Sequence, residues 1–196
     1  MGLSLQKGQT LSLKKNDGGT LAFVRMGLGW DSAAPVKRGL FGMKKAAEVD
    51  LDASAILFDA NGTAIDTVFF NQLQSKDGAI RHTGDNLTGE GEGDDETILV
   101  DLARISPAVA QIVFVISSYS GQTFDQVANA FCRLVDDSTP GSPEIARFTL
   151  TENGSHTAMI MAKVSRDGAG WTFKAIGDRA TGRTVKDLVA PAAAVL

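Results

Sequence analysis

The residues best suited to chemistry lie in one acidic, glycine-rich segment, residues 85–96. Side-chain oxygens alternate there with glycines, and the segment carries six negative charges and no lysine or arginine. Carboxylates crowded this closely repel one another unless some take up protons or a cation neutralises them. Calcium accepts roughly 6 to 8 oxygen ligands in a loose geometry, whereas magnesium demands a small octahedron. The pattern therefore predicts a calcium-binding loop.

Other interpretations of this segment remain open. Its spacing does not match an EF-hand loop, so a calcium site would be of another type. Only His82 supplies a nearby imidazole and no cysteine is close, which argues against zinc or copper. The alternative is a solvated acidic loop, as most runs of charge are. Glycines that permit tight wrapping, and a second set of oxygen donors elsewhere, favour metal binding.

That second set lies outside the acidic segment. Asp50 and Asp52 are two residues apart on a predicted strand, so both side chains point to the same face. They are either exposed to solvent or converge on the same cation as the loop. Asp31 and Asn71 are further oxygen donors at the ends of predicted strands.

The composition indicates one globular domain. The chain has 196 residues, of which 43% are hydrophobic, and a net charge of −4 that resides in the acidic segment. This balance argues against nucleic-acid binding. No stretch approaches the roughly 20 apolar residues of a membrane span, and the start of the chain lacks a signal-peptide pattern. With a single cysteine, which cannot form an internal disulfide, these features predict a cytoplasmic protein.

Apolar residues recur with period two in short runs bounded by turn residues, which predicts a mainly β protein. Ten such runs fit a two-sheet β-sandwich with a few short helices at residues 106–110, 124–127 and 184–189. A single domain is expected over residues 1–190, followed by a frayed alanine-rich tail at 191–196. The ten predicted strands are 11–13, 21–28, 49–58, 65–70, 97–102, 112–118, 128–135, 145–150, 158–164 and 171–176.

The sequence carries no pattern typical of an enzyme. Cys132 shares one face of a predicted strand with Ala130 and Leu134, so we expect a buried thiol. His82 and His156 are far apart in the chain, and no G-x-S-x-G or Walker A motif occurs. We therefore predict a protein without catalytic activity.

Several motifs, in order along almost the whole chain, resemble the TerD domain family. This family is named for bacterial tellurium resistance, and its members are also described as general stress proteins. The most specific motif is the acidic signature from His82 to Glu96. The motifs are Leu3-Ser4-Leu5, Gly27-Leu28-Gly29-Trp30-Asp31, Asp50-Leu51-Asp52-Ala53-Ser54, Phe70-Asn71, His82 to Glu96 and Phe131 to Val135.

The resemblance implies a β-sandwich that binds calcium, as two ions, at one edge, with a role in resistance to tellurite and other stress. It does not imply catalysis. The sequence departs from the family pattern at residues 32–49, which are longer than expected and basic. The implied metal-binding residues are Asp31, Asp50, Asp52, Asn71, Asp85, Asn86, Glu90, Asp94, Asp95 and Glu96.

Two functional hypotheses follow. In the first, calcium neutralises and orders the acidic loop so that a surface for a partner protein forms. In the alternative, the protein is a small-ligand binder of cyclic-nucleotide type, or an enzyme, in which calcium holds a phosphate. A deep polar pocket beside the metal would favour the second hypothesis.

Overall fold

The computed structural model describes residues 2–15, 18–32, 49–84, 93–150, 154–168 and 170–196. Within these ranges the chain forms twelve strands and one short α-helix. The strands are β1 Leu3–Ser4, β2 Thr10–Ser12, β3 Phe23–Ser32, β4 Leu51–Phe58, β5 Ala64–Val68, β6 Ile80–His82, β7 Glu96–Asp101, β8 Gln111–Ser118, β9 Val127–Asp136, β10 Glu144–Thr149, β11 Ala158–Asp167 and β12 Gly170–Ala180.

The strands form two six-stranded sheets. The first sheet has the order β1-β10-β9-β3-β7-β6, and the second has the order β2-β12-β11-β8-β4-β5. All neighbours are antiparallel except β1 and β10, which are parallel. The predicted two-sheet, mainly β architecture is confirmed.

The core lies between the sheets because alternate residues of each strand point inward. In β7, Ile98 and Val100 are buried in the main hydrophobic cluster, while Thr97, Leu99 and Asp101, which alternate with them, are partly exposed. All ten predicted strands have counterparts, with ends that differ by a few residues. The two strands that the sequence did not predict, β1 and β6, have only two and three residues.

The second sheet is buried on both faces. All eight residues of β4 are buried, because Ile56, Phe58 and their neighbours on the outer face pack against the C-terminal segment. That segment is a 3-10 helical turn, Val185–Leu188, continued by the helix α1, Val189–Ala193. The alternating pattern predicted a sheet with one exposed face, but at β4 the C-terminal segment covers that face.

The expectation of a frayed tail at the C-terminus is wrong. Ala192 and Leu188 are fully buried against the second sheet. Nζ of Lys163 donates hydrogen bonds to the carbonyl oxygen of Val195, at 2.7 Å, and to Oε1 of Gln111, at 3.0 Å. The sequence signal was weak because alanine carries little apolar surface, yet a small side chain is what allows the helix to approach the sheet closely.

The other predicted helical segments have mixed outcomes. Phe124–Gln126 forms a 3-10 turn, and the segment predicted at 184–189 is helical and longer than expected. The segment at 106–110, for which a single turn was expected, makes one turn that is closed by a hydrogen bond from the Val109 N–H to the Ser106 carbonyl.

One end of the sandwich gathers the strand ends that carry the predicted site. Because β3 and β7 are antiparallel, the last residues of β3 lie beside the first residues of β7. In the second sheet, the first residues of β4 lie beside the last residues of β8. A hydrogen bond from the Ala53 N–H to Oε2 of Glu96, at 2.7 Å, joins the two sheets here. We call this the site end.

Replacing Leu188 with alanine tests the role of the C-terminal segment. Leu188 is fully buried on the outer face of the second sheet, so Leu188→Ala should lower the free energy of unfolding by about 2 to 5 kcal/mol in a denaturant titration. Lys186→Ala, an exposed change in the same turn, is the control and should have little effect. A loss below about 1 kcal/mol for Leu188→Ala would contradict this packing.

Candidate metal centre

The structure describes seven of the ten predicted metal-binding residues, and all seven lie at the site end. Asp85, Asn86 and Glu90 lie outside the described residues, as does most of the basic segment predicted at 32–49. The seven fall into two groups, one beside the first sheet and one beside the second. The first contains Asp31, Asp94, Asp95 and Glu96, and the second contains Asp50, Asp52 and Asn71.

Asp95 is held against the end of β3 by two hydrogen bonds. Its backbone N–H donates to the Leu28 carbonyl at 2.7 Å, and its Oδ2 accepts the Trp30 N–H at 2.9 Å. Burial raises the pKa of Asp95, and the neighbouring carboxylates of Asp31 and Asp94 raise it further, against the hydrogen bond from Trp30 that lowers it. A negative charge at Asp95 is therefore disfavoured in the absence of a cation.

Asp94 is held by arginine side chains. Its two oxygens accept hydrogen bonds from Nε and Nη2 of Arg133, at 2.6 and 3.1 Å, and Nη1 of Arg25 lies 3.8 Å away. These bonds to Asp94 raise the pKa of Arg133. Because both oxygens already have a guanidinium partner, Asp94 is better suited to fix the chain at this point than to bind a metal ion.

Two glycines of β3 provide the space for this arrangement. A Cβ atom at Gly27 would lie 2.2 Å from Cγ of Asp94, and one at Gly29 would lie 2.4 Å from Cζ of Phe131. Positions 27 and 29 of β3 must therefore lack side chains if residues 93 and 94 are to lie against the strand. The sequence pattern Gly27-x-Gly29 has a steric cause here, since neither glycine has a positive φ.

Glu96 points into the protein, in phase with Ile98 and Val100 on β7. It is 1% exposed, and its Oε2 accepts the Ala53 N–H and lies 3.3 Å from Nε2 of His82. Nδ1 of His82 accepts the Gly84 N–H at 3.1 Å, so the proton of a neutral ring is on Nε2 and faces Glu96. The contact has ion-pair distance but not hydrogen-bond alignment. Glu96 therefore has a structural role between the sheets.

The second group lies on the outer face of the second sheet. Asp52 precedes Ile56 by four residues on β4 and so shares its face; it is buried, while Asp50 is partly buried. Asp52 and Asn71 line one cavity of about 280 Å³. The cavity is also lined by Ser54, Phe69, Phe70, Ser117, Tyr119, Thr184, Val185 and Lys186.

The donors in the described part of the chain do not complete a metal centre. Among the described residues, no three or more His, Cys, Asp or Glu side chains form a group that could hold a metal ion. The chemistry of the set nevertheless suits calcium, because the donors are hard oxygens and the charges of Asp31 and Asp94 raise the pKa of Asp95. A calcium site would need further donors from residues 85–92.

Sequence reasoning did not foresee the contacts of three residues that shape this end of the sandwich. Arg133 binds Asp94, His82 lies against Glu96, and Nδ2 of Asn129 donates to Oδ2 of Asp31 at 2.7 Å. Each acts across strands, so only the strand register could reveal it.

Cys132 is buried, as predicted. Burial raises the pKa of its thiol to about 12, although the charge of Arg147 acts in the opposite direction. The thiolate is the nucleophilic form of cysteine. This side chain is therefore part of the core and is poorly suited to redox or metal chemistry in the folded protein.

The fold and the carboxylate-rich end define a two-sheet β-sandwich whose similarity to known proteins extends over almost the whole chain. The model of the TerD domain matches residues 1–190. Tellurium resistance protein TerZ of Serratia marcescens is 45% identical in an alignment of 191 positions that covers 95% of this chain and 94% of that protein. Stress response protein SCP2 of Bacillus subtilis is 36% identical in an alignment of 202 positions, gaps included, that covers 96% of this chain and 98% of that protein.

The chain therefore belongs to the TerD domain family, which includes tellurium resistance and stress response proteins. The crystal structure of a homologue of the telluride resistance protein TerD from Streptomyces coelicolor has the same fold. It has a TM-score of 0.68 at 24% identity, and the match covers 86% of this chain and 95% of that one. No helix in the described ranges has the length and apolar character needed to span a membrane.

Replacing Gly27 with alanine tests the close approach of Asp94 to β3. The added methyl group would collide with the carboxylate, so Gly27→Ala should reduce the free energy of unfolding by about 1 to 3 kcal/mol. In an Asp94→Ala background the colliding atoms are gone, and the same change should cost less than about 1 kcal/mol. Equal costs in the two backgrounds, measured by denaturant unfolding, would contradict the proposed contact.

The raised pKa of Asp95 predicts a pH-dependent effect of Asp95→Asn in metal-free protein. The folded state binds this proton more tightly than the unfolded state, whose pKa is about 3.9. Ionisation of Asp95 therefore destabilises the fold as the pH rises through the folded-state pKa. Asparagine can still accept the Trp30 N–H, so the variant should melt above the parent near neutral pH.

That gain should disappear when the pH falls below about 4, where the parent carboxyl is protonated in both states. The measurement is a series of melting curves in the presence of a chelator. Asp167→Asn, at an exposed position in the β11–β12 hairpin, controls for the change in net charge. A variant that melts below the parent at neutral pH would show that the Asp95 charge stabilises the fold.

Proposed function

We propose that this chain is a calcium-binding stress-response module of the tellurite and general stress type. In this proposal calcium orders the acidic segment 85–96 and thereby forms a surface that partner proteins recognise. The observation that carries the proposal is the position of Asp95, partly buried and placed against Trp30, with Asp31 and Asp94 close enough to raise its pKa. When bound, calcium would supply the positive charge that makes this arrangement favourable.

The predicted metal-binding residues would have two roles: some would bind an ion, and others would hold the acidic segment in place. Asp31 and Asp95 would bind one ion together with Asp85, Asn86 and Glu90. Asp50, Asp52 and Asn71, which lie at the same end of the sandwich beside the second sheet, would contribute to a second ion.

Asp94 and Glu96 would fix the two flanks of Asp95. Asp94 is bound to Arg133 and Glu96 to Ala53, each on a different strand. Because these contacts tie the segment to both sheets, Asp95 would be held in place before any ion arrives. A site prepared in this way loses less conformational entropy on binding.

The cavity beside Asp52 and Asn71 supports an alternative function, the binding of a small ligand. Aromatic side chains line one part of it, and Lys186 contributes a positive charge. An ion held by Asp52 and Asn71 would face this cavity, where a phosphate group of a small ligand of cyclic-nucleotide type could complete its coordination. We propose the partner-protein role as the main function because six of the ten predicted metal-binding residues belong to the acidic segment 85–96 and only two line this cavity.

Calorimetric titration of metal-free protein with calcium tests the proposal. We expect more than one equivalent to bind, with a rise in stability of about 2.7 kcal/mol for each site at a hundredfold excess over its Kd. Magnesium should produce a much smaller effect. Asp95→Asn should weaken binding by roughly tenfold or more, and Asp167→Asn, which removes one charge in the β11–β12 hairpin, should not.

Two results would count against this account. Neither heat nor stabilisation at millimolar calcium would contradict the metal-binding proposal. Calcium binding without any change in hydrodynamic size or oligomeric state, combined with stronger binding of a cyclic nucleotide in the presence of calcium, would favour the small-ligand alternative.

A further inference from the structure

The pairing of β3 with β9 is interrupted beside Asp31. Gly29 is paired with Phe131, but Asp31 is paired with Ala128. One residue of β3 therefore lies opposite two residues of β9, Asn129 and Ala130, which makes a β-bulge. Bulges of this kind change the direction of side chains and are frequent next to functional sites.

The bulge places Asn129 in an unusual backbone conformation. Its φ is +53°, and among the described residues only Ser142 shares a positive φ without being glycine. This left-handed region is unfavourable for most side chains and is tolerated best by glycine, asparagine and aspartate. The position therefore accepts few residue types, and glycine would suit the backbone at least as well.

The side chain of Asn129 gives a reason for asparagine over glycine. Its Nδ2 donates to Oδ2 of Asp31 at 2.7 Å. Both residues are exposed, so this bond adds little to the stability of the fold. Its effect is to fix the direction of the Asp31 carboxylate at the end of β3.

The amide group of Asn129 is a suitable donor for Asp31 because it carries no charge, so the Asp31 carboxylate can still attract a cation. Asp94 is bound by the guanidinium of Arg133, which cancels its charge. The described partner of Asp31 is a neutral amide, which orients the carboxylate and leaves its negative charge in place. Hydrogen bonds of this kind to a metal ligand are a common means of orienting it.

We propose that Asn129 is a positioning residue that directs the Asp31 carboxylate toward a calcium ion shared with Asp95. This inference rests on the proposed function. Trp30 links the two carboxylates. It directly precedes Asp31 in β3, and its backbone N–H donates a hydrogen bond to Oδ2 of Asp95. The negative charge of Asp31 is also one of the causes that raise the pKa of Asp95.

The test replaces Asn129 with glycine, which keeps the backbone conformation and removes the amide. In calorimetry with calcium alone, Asn129→Gly should bind roughly 10- to 100-fold more weakly than the parent. Its metal-free melting temperature should equal or exceed that of the parent, since glycine adopts positive φ without strain. Ser142→Gly is the matched control, because it makes the same backbone change in the turn before β10 and should retain the parent affinity.

A double-mutant cycle with Asp31→Asn separates positioning from other effects. If Asn129 acts through Asp31, the loss caused by Asn129→Gly should largely vanish in the Asp31→Asn background. Additive losses would overturn the inference, as would a parent-like affinity of Asn129→Gly, and in both cases the proposed calcium function would stand. Failure of the parent chain to bind calcium would overturn the proposed function and this inference together.

Discussion

The site end depends on the contacts that the buried carboxylate of Glu96 makes between the two sheets. This carboxylate accepts the Ala53 N–H and faces His82. A carboxylate removed from water is costly unless it has partners, so the first residue of β7, the start of β4 and the end of β6 must stay together. This requirement fixes the two sheets relative to each other at the point where the acidic segment enters β7.

The position of Glu96 between the sheets also separates the side chains of Asp94, Asp95 and Glu96, which are consecutive in the sequence. Asp94 points outward to Arg133 on β9, Asp95 lies against the end of β3, and Glu96 points inward to β4. Each carboxylate is therefore bound to a different strand. Because its neighbours are fixed on either side, Asp95 cannot move away from Asp31, and their repulsion is built into the fold.

Much of the fold was predictable from the sequence, because alternation of apolar residues reports directly on strands that bury one face. The failures have physical reasons. β1 and β6 are too short to show a period, and the alanines of the C-terminal helix gave no apolar signal although Ala192 is fully buried. The alternation that places Glu96 in phase with Ile98 was present in the sequence and indicates an interior carboxylate.

The sequence indicated where the candidate site residues would lie better than it indicated the role of each residue. Acidic residues near strand ends were expected to meet at one edge of the sandwich, and Asp31, Asp52 and Asp95 do lie at the same end. The roles of Arg133 and Asn129 depend on the register between β3, β9 and the turn before β7, which no local pattern encodes. The arginine partner of Asp94 could not be read from the sequence either, because Arg133 lies on another strand.

Native mass spectrometry of the metal-free chain, before and after addition of calcium, tests the central claim most directly because it counts bound ions. The account predicts a main species with two calcium ions per chain, at calcium concentrations where magnesium leaves the chain without bound metal. A main species that stays at the mass of the metal-free chain in millimolar calcium would contradict the account, and residues 85–96 would then be a solvated acidic loop.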